Sequence, residues 1–297
     1  MMFKKNSTKK TKNSAFSLVE LSIVILIIGI LVIGVSQGYG LVKSARISNA
    51  RSITAKSPIS QTPGLLAWYE TTLKESFNNS EIRDNARITQ WKDISPSSII
   101  SSTNILVATA SDNATYSQSS INKLPAVKFG ISDKLSLATF TQGASSQATI
   151  FMVVKLNYAP DSTNYKTIFD SSSSSFAFSI KSDMAQLNAG LAGATTTSAN
   201  SFSNSGEYAI AIYFNGSGSK VFRNNTNSTL PSSASDGSLN AGTNQLVGMI
   251  LGNKVANAGF SGFISEVAVF NRVVKSNERK EIFNYFSKKY KINITGV

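Results

Sequence analysis

The feature that most constrains this chain is an unbroken apolar segment near its start, residues 15–35, with the sequence AFSLVELSIVILIIGILVIGV. Apolar residues extend from Phe16 to about Tyr39, and a helix of that length crosses a bilayer core of about 30 Å. The segment contains one acid, Glu20. Because a carboxylate at membrane depth costs roughly 2.5–3.5 kcal/mol, we expect Glu20 to be paired with a cation.

The positive charge of the chain is concentrated around this segment. Of the formal charge of +13, residues 1–63 contribute +8, because they contain nine lysines and arginines and one acidic residue, Glu20. Five of the nine precede the apolar segment, where the preference for positive residues on the cytoplasmic side of a membrane helix explains them. The other 234 residues carry only +5, with no block of like charge, which disfavours nucleic acid as a partner.

Two simpler interpretations of the segment are a cleaved secretory signal peptide and an uncleaved signal anchor. A signal peptide has a shorter apolar stretch that ends at a cleavage site of small residues, so the length of this run argues against it. A signal anchor fits the hydropathy but provides no partner for Glu20.

The string AFSLVE at 15–20 resembles the processing motif of type IV prepilins. The resemblance implies that a prepilin peptidase cleaves between Ala15 and Phe16 and methylates the new amino terminus. It also implies that Glu20 faces the terminal ammonium of a neighbouring pilin or pseudopilin subunit in a filament. Ala15 departs from the usual glycine, and the apolar run has no proline.

The sequence predicts four segments. These are a basic leader (1–15), a transmembrane and stem helix (16–53), a linker with two prolines (54–63) and a large β domain (64–297). Five runs in the β domain are rich in β-branched and aromatic residues and are predicted strands: 148–156, 208–214, 220–224, 245–251 and 262–271.

A helix is predicted near the carboxyl end, with Ser276 as its N-cap. Four apolar residues recur at helical spacing, so that one face packs on a sheet: Ile282, Phe283, Phe286 and Tyr290. Short strands without a long helical pattern predict a sandwich or jelly roll for the domain as a whole.

The segments GLLAWYE (64–70), ITQWKDIS (88–95) and GFISEVAVFNRVVKSNERKEIFNYFSKKYKI (262–292) resemble concanavalin A-like, laminin-G-like jelly-roll modules of bacterial surface proteins. The expected fold is therefore mainly β: a concanavalin A-like jelly-roll sandwich with one C-terminal helix, preceded by a long N-terminal transmembrane and stem helix. The resemblance implies a lectin-like role in binding a glycan or another surface ligand.

The composition restricts the chemistry available to the domain. There is no cysteine and no histidine, which excludes thiolate sites and removes the commonest general base. Glycan hydrolysis needs two carboxylates facing the scissile bond, and the strand at 262–271 offers only Glu266, because Ile264 and Ala268 are apolar. We therefore expect Glu266 to be structural, either hydrogen-bonded or paired with a basic neighbour, and Asp93 and Asp133 to be turn residues, so no catalytic residue is predicted.

The candidate ligand-binding residues are Tyr116, Tyr158 and Tyr165, which lie in loop-like stretches. Trp68 and Trp91 belong to strand motifs and are expected in the core. No cofactor is predicted. Two oxygen-rich loops, 161–164 and 234–240, could contribute to a structural calcium site, but ordinary Asx turns account for them and no metal ligand is assigned.

These features together predict a minor-pilin-like protein, anchored once in a bacterial inner membrane with its carboxyl-terminal domain outside the cytoplasm. After assembly it would stand in or at the tip of a pilus-related filament at the cell surface and bind a ligand or carbohydrate there. The alternatives are a pseudopilin of a type II secretion system and, less favoured, a membrane-tethered glycan hydrolase.

Overall fold

The computed structural model describes residues 17–101, 103–157, 166–172, 176–181, 184–189, 192–197, 202, 205–216, 218–224, 226–228, 245–252 and 259–295 of the 297-residue chain. The chain forms two units that divide between Ser48 and Asn49. The predicted leader at 1–15 lies outside the described residues.

Helix α1, Leu18–Ala55, confirms the long N-terminal helix. In the described part of the chain, this is the one helix long and apolar enough to cross a membrane by length and composition. Its last residues belong to the second unit, where Ala50 is buried in an apolar cluster.

The predicted linker at 54–63 is packed rather than free. Pro58–Gln61 forms a short 3₁₀ turn, and the hydroxyl of Ser57 caps this turn by accepting a hydrogen bond from the Ile59 amide at 3.3 Å. Ile59 is fully buried, and the Thr54 hydroxyl donates back to the Ala50 carbonyl. The second compact unit starts at Asn49, inside α1, and includes this proline-containing segment.

Sixteen strands lie in the described residues after α1. They are β1 Leu65–Glu70, β2 Gln90–Trp91, β3 Leu106–Val107, β4 Thr115–Ser117, β5 Ala126–Phe129, β6 Lys134–Leu137, β7 Ala148–Leu156, β8 Lys166–Asp170, β9 Phe176–Lys181, β10 Met184–Ala189, β11 Ala192–Thr197, β12 Glu207–Phe214, β13 Lys220–Arg223, β14 Thr226–Ser228, β15 Met249–Gly252 and β16 Gly262–Phe270. They form two antiparallel sheets, ordered β14-β13-β12-β7-β16-β5-β4, with β1 also on β16, and β11-β10-β9-β8-β15-β6-β3-β2. This is the predicted jelly-roll sandwich.

Two short helices complete the unit, α2 Pro96–Ser101 and α3 Ser276–Tyr290. The sheet that contains β7 packs against the other sheet on one face and against α3 on the other. Ile150, Met152 and Val154 of β7 lie in the core between the two sheets. Phe151 and Val153 lie in a second core beneath α3. Period-two alternation thus supplies an apolar face to both neighbours.

Helix α3 confirms the predicted C-terminal helix and its buried face. Its N-cap is Lys275 rather than the predicted Ser276, because Glu278 reaches back and accepts a hydrogen bond from the Lys275 amide at 2.7 Å. Arg272 donates to both oxygens of Glu278, at 3.0 and 2.7 Å, and this bidentate pair fixes the start of the helix.

Four of the five predicted strands are confirmed to within a residue, as β7, β12, β13 and β16. The fifth is shorter than its predicted range of 245–251. Leu246 makes an isolated bridge to Ser145, and the strand proper begins only at Met249. Between them, Gly248 passes so close to β6 that a Cβ there would lie 2.2 Å from the Leu137 carbonyl oxygen.

Candidate functional site

The first candidate site is the start of α1, where Glu20 lies in the first helical turn. The Ser17 hydroxyl accepts a hydrogen bond from the Val19 amide at 3.3 Å, and the Glu20 carboxylate accepts one from the Ser17 amide at 2.8 Å. This reciprocal arrangement is a capping box, so Glu20 has a local partner within its own chain. The predicted cleavage residues Ala15 and Phe16 lie outside the described residues.

The second feature is a sealed cluster of charges beneath α3. Lys289 donates to Glu70 at 2.6 Å and to Glu266 at 2.8 Å, and all three side chains are fully buried. The Glu266 carboxylate also accepts hydrogen bonds from Trp68 Nε1 at 2.7 Å and from the Tyr290 hydroxyl at 2.8 Å.

Strand register creates this cluster. Glu70 lies directly opposite Glu266 in the β1–β16 pairing. A register shift between Ile264 and Glu266 changes the phase of β16, so that Ile264 faces the core between the sheets while Glu266 faces α3. The structure confirms that Glu266 is paired with a base. The second carboxylate, Glu70, comes from the neighbouring strand β1, and the sequence pattern of β16 alone does not reveal this pairing.

Burial raises the pKa of Glu266 above its usual value. The positive charge of Lys289 acts in the opposite direction, and the negative charge of Glu70 adds to the rise. Burial also raises the pKa of Tyr285 and Tyr290 well above the usual value for tyrosine, followed by the negative charge of Glu266. The surroundings of these side chains therefore disfavour additional negative charge. This favours a structural role for the cluster over a role in binding substrate.

Tyr116 is not the exposed loop residue that was expected. It lies in β4 with 6% of its surface exposed, and its hydroxyl donates to the Thr71 carbonyl at 3.3 Å. Phe77 packs against its ring at a centroid distance of 5.4 Å, so the side chain fills the core. The other two candidates, Tyr158 and Tyr165, lie outside the described residues.

The remaining sequence predictions concern turns, the core and calcium. The Asp93 carboxylate accepts from the Ser95 amide at 2.8 Å, and that of Asp133 from the Gly130 amide at 2.7 Å, as turn residues do. Trp68 and Trp91 are buried as predicted. The loops 161–164 and 234–240 lie outside the described part of the chain. Among the described residues, no group of three acidic side chains is placed to hold a metal ion.

The third feature is a cavity of about 550 Å³ in the second unit, which we call the arginine pocket. Its walls come from the end of α1, from β1 and from the segments on either side of β2. The apolar part of the lining consists of Ala55, Trp68, Leu73, Ile94, Pro96 and Ile105, and the charged part of Arg51, Glu75, Lys92 and Asp93. This size and mixed lining are typical of small-ligand sites.

Arg51 is held in place at one edge of its guanidinium. Its Nε donates to the Thr72 carbonyl at 2.7 Å, and among the described residues its two terminal nitrogens have no hydrogen bond or ion pair. Lys92 Nζ and the Glu75 carboxylate likewise have no such partner in the described chain. The pocket therefore presents two unneutralised cations and one acid.

Asp93 is the charged residue of the pocket whose carboxylate oxygens already accept hydrogen bonds within the protein. Its oxygens accept from the Trp68 amide at 2.8 Å and from the Ser95 amide and hydroxyl at 2.8 and 2.9 Å. Burial raises its pKa, and these hydrogen bonds partly oppose the rise. Asp93 thus holds the pocket wall rather than offering a free carboxylate.

A second depression, of about 360 Å³, adjoins the arginine pocket and shares Glu75 and Lys92 with it. Its other lining residues are Lys74, Phe77, Asn78 and Asn79. The linings of the two cavities together contain three cations, Arg51, Lys92 and Lys74.

Comparison with known proteins connects the first candidate site to a family. Residues 10–36 match the prokaryotic N-terminal methylation motif, which contains the predicted cleavage position and Glu20. This motif indicates a type IV pilin- or pseudopilin-like protein and implies processing by a prepilin peptidase and assembly with pilin-type subunits. Together with α1, it indicates a single-pass membrane anchor. No curated protein matches the chain in sequence.

Solved structures resemble the fold of the second unit. A sialidase from Trypanosoma rangeli, solved with sialic acid, superposes with a TM-score of 0.52 at 16% identity, over 79% of this chain and 34% of its own. Domain 4 of a GH43 extracellular arabinanase from Geobacillus stearothermophilus, solved with arabinotriose, gives 0.51 at 12% identity, over 75% of this chain and 98% of that domain. The chain thus spans about a third of the sialidase, and both likenesses establish the sandwich fold alone.

Replacing Lys289 with methionine should destabilise the second unit by about 3–5 kcal/mol, because Glu70 and Glu266 would stay buried without a cation. The matched control is Lys288→Met, since Lys288 is adjacent but exposed and should change stability by no more than about 0.5 kcal/mol. Chemical denaturation of the full chain in detergent measures both. A loss below about 1 kcal/mol for Lys289→Met would show that the ion cluster does not stabilise the fold.

Glu266→Gln should flatten the pH dependence of stability. Because the pKa of Glu266 is raised in the folded state, the folded chain binds more protons than the unfolded chain above about pH 4.3, the ordinary glutamate value. The free energy of unfolding therefore falls as the pH rises through this window. Asp93 contributes with the same sign and remains in the variant, so the slope should decrease without vanishing.

Unfolding of the full chain in detergent between pH 4 and pH 8 measures this slope. The exposed Glu281, changed to glutamine, controls for the loss of one carboxylate. An unchanged slope for Glu266→Gln would refute the inference that burial favours its protonated form.

Proposed function

We propose that this protein is a minor subunit of a type IV pilus-related filament, which displays the β-sandwich for adhesion by binding a glycan. The observation that carries the proposal is the methylation motif at 10–36, at the start of a helix that can span a membrane. In this proposal, cleavage before Phe16 releases the basic leader, and Glu20 then faces the methylated ammonium of a neighbouring subunit. An ion pair of this kind offsets the penalty of a carboxylate at membrane depth.

The sandwich supports the binding part of the proposal. It provides a pocket with charged groups and apolar walls, which a purely structural subunit does not need. The arabinanase domain of the same fold was solved with an oligosaccharide, arabinotriose. A pseudopilin of a type II secretion system would carry the same N-terminal motif. We place this alternative second because a binding pocket has no role in such a subunit.

A glycan hydrolase is a weaker alternative. The paired carboxylates Glu70 and Glu266 have the residue types that retaining or inverting hydrolysis requires, but both are fully buried and share one ammonium. A substrate could reach them only by displacing α3, which packs over the cluster through Tyr285 and Tyr290. We therefore assign no catalytic residue.

The local capping box offers a rival explanation for Glu20, and three variants separate the two roles. Glu20→Gln removes the charge, while glutamine still functions in a capping box. Ser17→Ala removes one half of the capping box and keeps the charge. Glu20→Ala removes both the charge and the Glu20 half of the capping box. If Glu20 pairs with a neighbouring subunit, Glu20→Gln and Glu20→Ala should be processed yet absent from filaments, while Ser17→Ala should assemble normally.

The measurement is the amount of each variant in filaments sheared from the cell surface, relative to the processed protein in the membrane. We expect a loss of about tenfold or more for both Glu20 variants, since each loses an intersubunit ion pair. Normal assembly of Glu20→Gln would show that capping alone explains the acid.

A further inference from the structure

We propose that the arginine pocket and its neighbouring depression bind an oligosaccharide that carries carboxylate groups. The proposal names the ligand class and the site for the adhesive role, and it rests on that proposed function. Its basis is the combination of one oriented guanidinium, two further cations and apolar walls in two cavities that share Glu75 and Lys92.

Arg51 is the residue that selects a carboxylate. Its Nε donates to the Thr72 carbonyl at 2.7 Å, which orients the guanidinium, and among the described residues both terminal nitrogens are without a partner at the pocket. Two parallel N–H donors match the two oxygens of a carboxylate, and a guanidinium that is already fixed loses little side-chain entropy on binding. We call these two parallel donors the Arg51 fork. Lysine could not replace it, because an ammonium is a point charge without two parallel donors.

The orientation of Arg51 is itself determined by the buried cluster. The Glu70 carboxylate accepts hydrogen bonds from the Thr72 amide at 2.8 Å and from the Leu73 amide at 2.9 Å. Those bonds hold the turn whose Thr72 carbonyl accepts from Arg51, and Leu73 lines the pocket wall. The fork is thus supported by rigid, buried structure, as a preorganised site requires.

The second depression extends the site beyond a single sugar unit. Lys92 lies on the lining of both cavities, and Lys74 adds a third cation in the second one. Opposite charge is limited to Glu75, since the Asp93 oxygens are occupied by backbone and serine donors. Asn78 and Asn79 place amide groups there, which suit sugar hydroxyls. A chain of acidic sugars complements this distribution, with one carboxylate at Arg51 and a second near Lys92 and Lys74.

The apolar walls separate this ligand from a simple inorganic anion. Ala55, Ile94, Pro96 and Ile105 form much of the pocket surface. A sugar ring presents C–H groups on one face and polar groups at its edge, so it can contact both kinds of lining at once. Phosphate or sulfate would satisfy Arg51 but leave these walls without a partner.

The test is binding of the full chain, in detergent micelles, to oligosaccharides of galacturonate, glucuronate and N-acetylneuraminate. Each is paired with its carboxyl methyl ester, which has the same sugar skeleton without the charge. At least one acidic form should bind about tenfold more tightly than its ester, as expected for a charged bidentate contact. Equal affinity for acid and ester would overturn the proposal.

Variants locate the site. Arg51→Gln and Arg51→Lys should each weaken binding of the acidic form by about tenfold, because neither restores the fork. Lys92→Gln should weaken it less. Because the Lys92 side chain makes no hydrogen bond within the described part of the chain, this variant tests the site even if Arg51 variants unfold. Arg83→Gln is the matched control, since Arg83 is exposed and outside both cavities. Unchanged binding in Arg51→Lys and Lys92→Gln would overturn the assignment.

A broad panel of neutral glycans distinguishes the failure of this proposal from the failure of the adhesive role. Binding of a neutral glycan that survives Arg51→Gln and Lys92→Gln would overturn the pocket and leave glycan adhesion in place. If neither acidic nor neutral glycans bind, both proposals are overturned.

Discussion

The buried ammonium of Lys289 joins three elements of the second unit, β1, β16 and α3. It contacts Glu70 on β1 and Glu266 on β16, and it comes from the last turn of α3. One cation between two carboxylates in a dry interior requires each partner to be in place, because an unpaired charge at that depth costs several kcal/mol. Burial raises the pKa of Glu266, the positive charge of Lys289 opposes this rise, and the negative charge of Glu70 adds to it.

The same cluster connects the interior to the surface that we propose as a binding site. Glu70 holds the turn at 72–73, and the Thr72 carbonyl of that turn orients Arg51. On the other side, Glu266 fixes the indole of Trp68, which lines the pocket. Two walls of the arginine pocket therefore depend on buried charges outside its lining, which is how a rigid scaffold positions a site.

Much of this architecture could be predicted from the sequence because local patterns encode it. The alternation in β7 and the helical spacing in α3 directly reflect which faces are buried. The Glu70–Glu266 pair could not be predicted in that way, since it joins residues 196 positions apart and requires the phase change before Glu266. Tyr116 was misplaced for a related reason, because its three-residue strand is too short to show any period. The arginine pocket likewise combines residues from several segments, so no single motif reveals it.

Processing before Phe16 is the claim on which the filament role and the surface display of the sandwich both rest. The most direct test is the amino-terminal mass of the protein recovered from its native membrane. The account predicts a chain that begins at Phe16 with a methylated amine, in agreement with the motif at 10–36. A chain that begins at Met1 or Met2, or one cleaved after the apolar run, would contradict it and would leave Glu20 with only its local capping role.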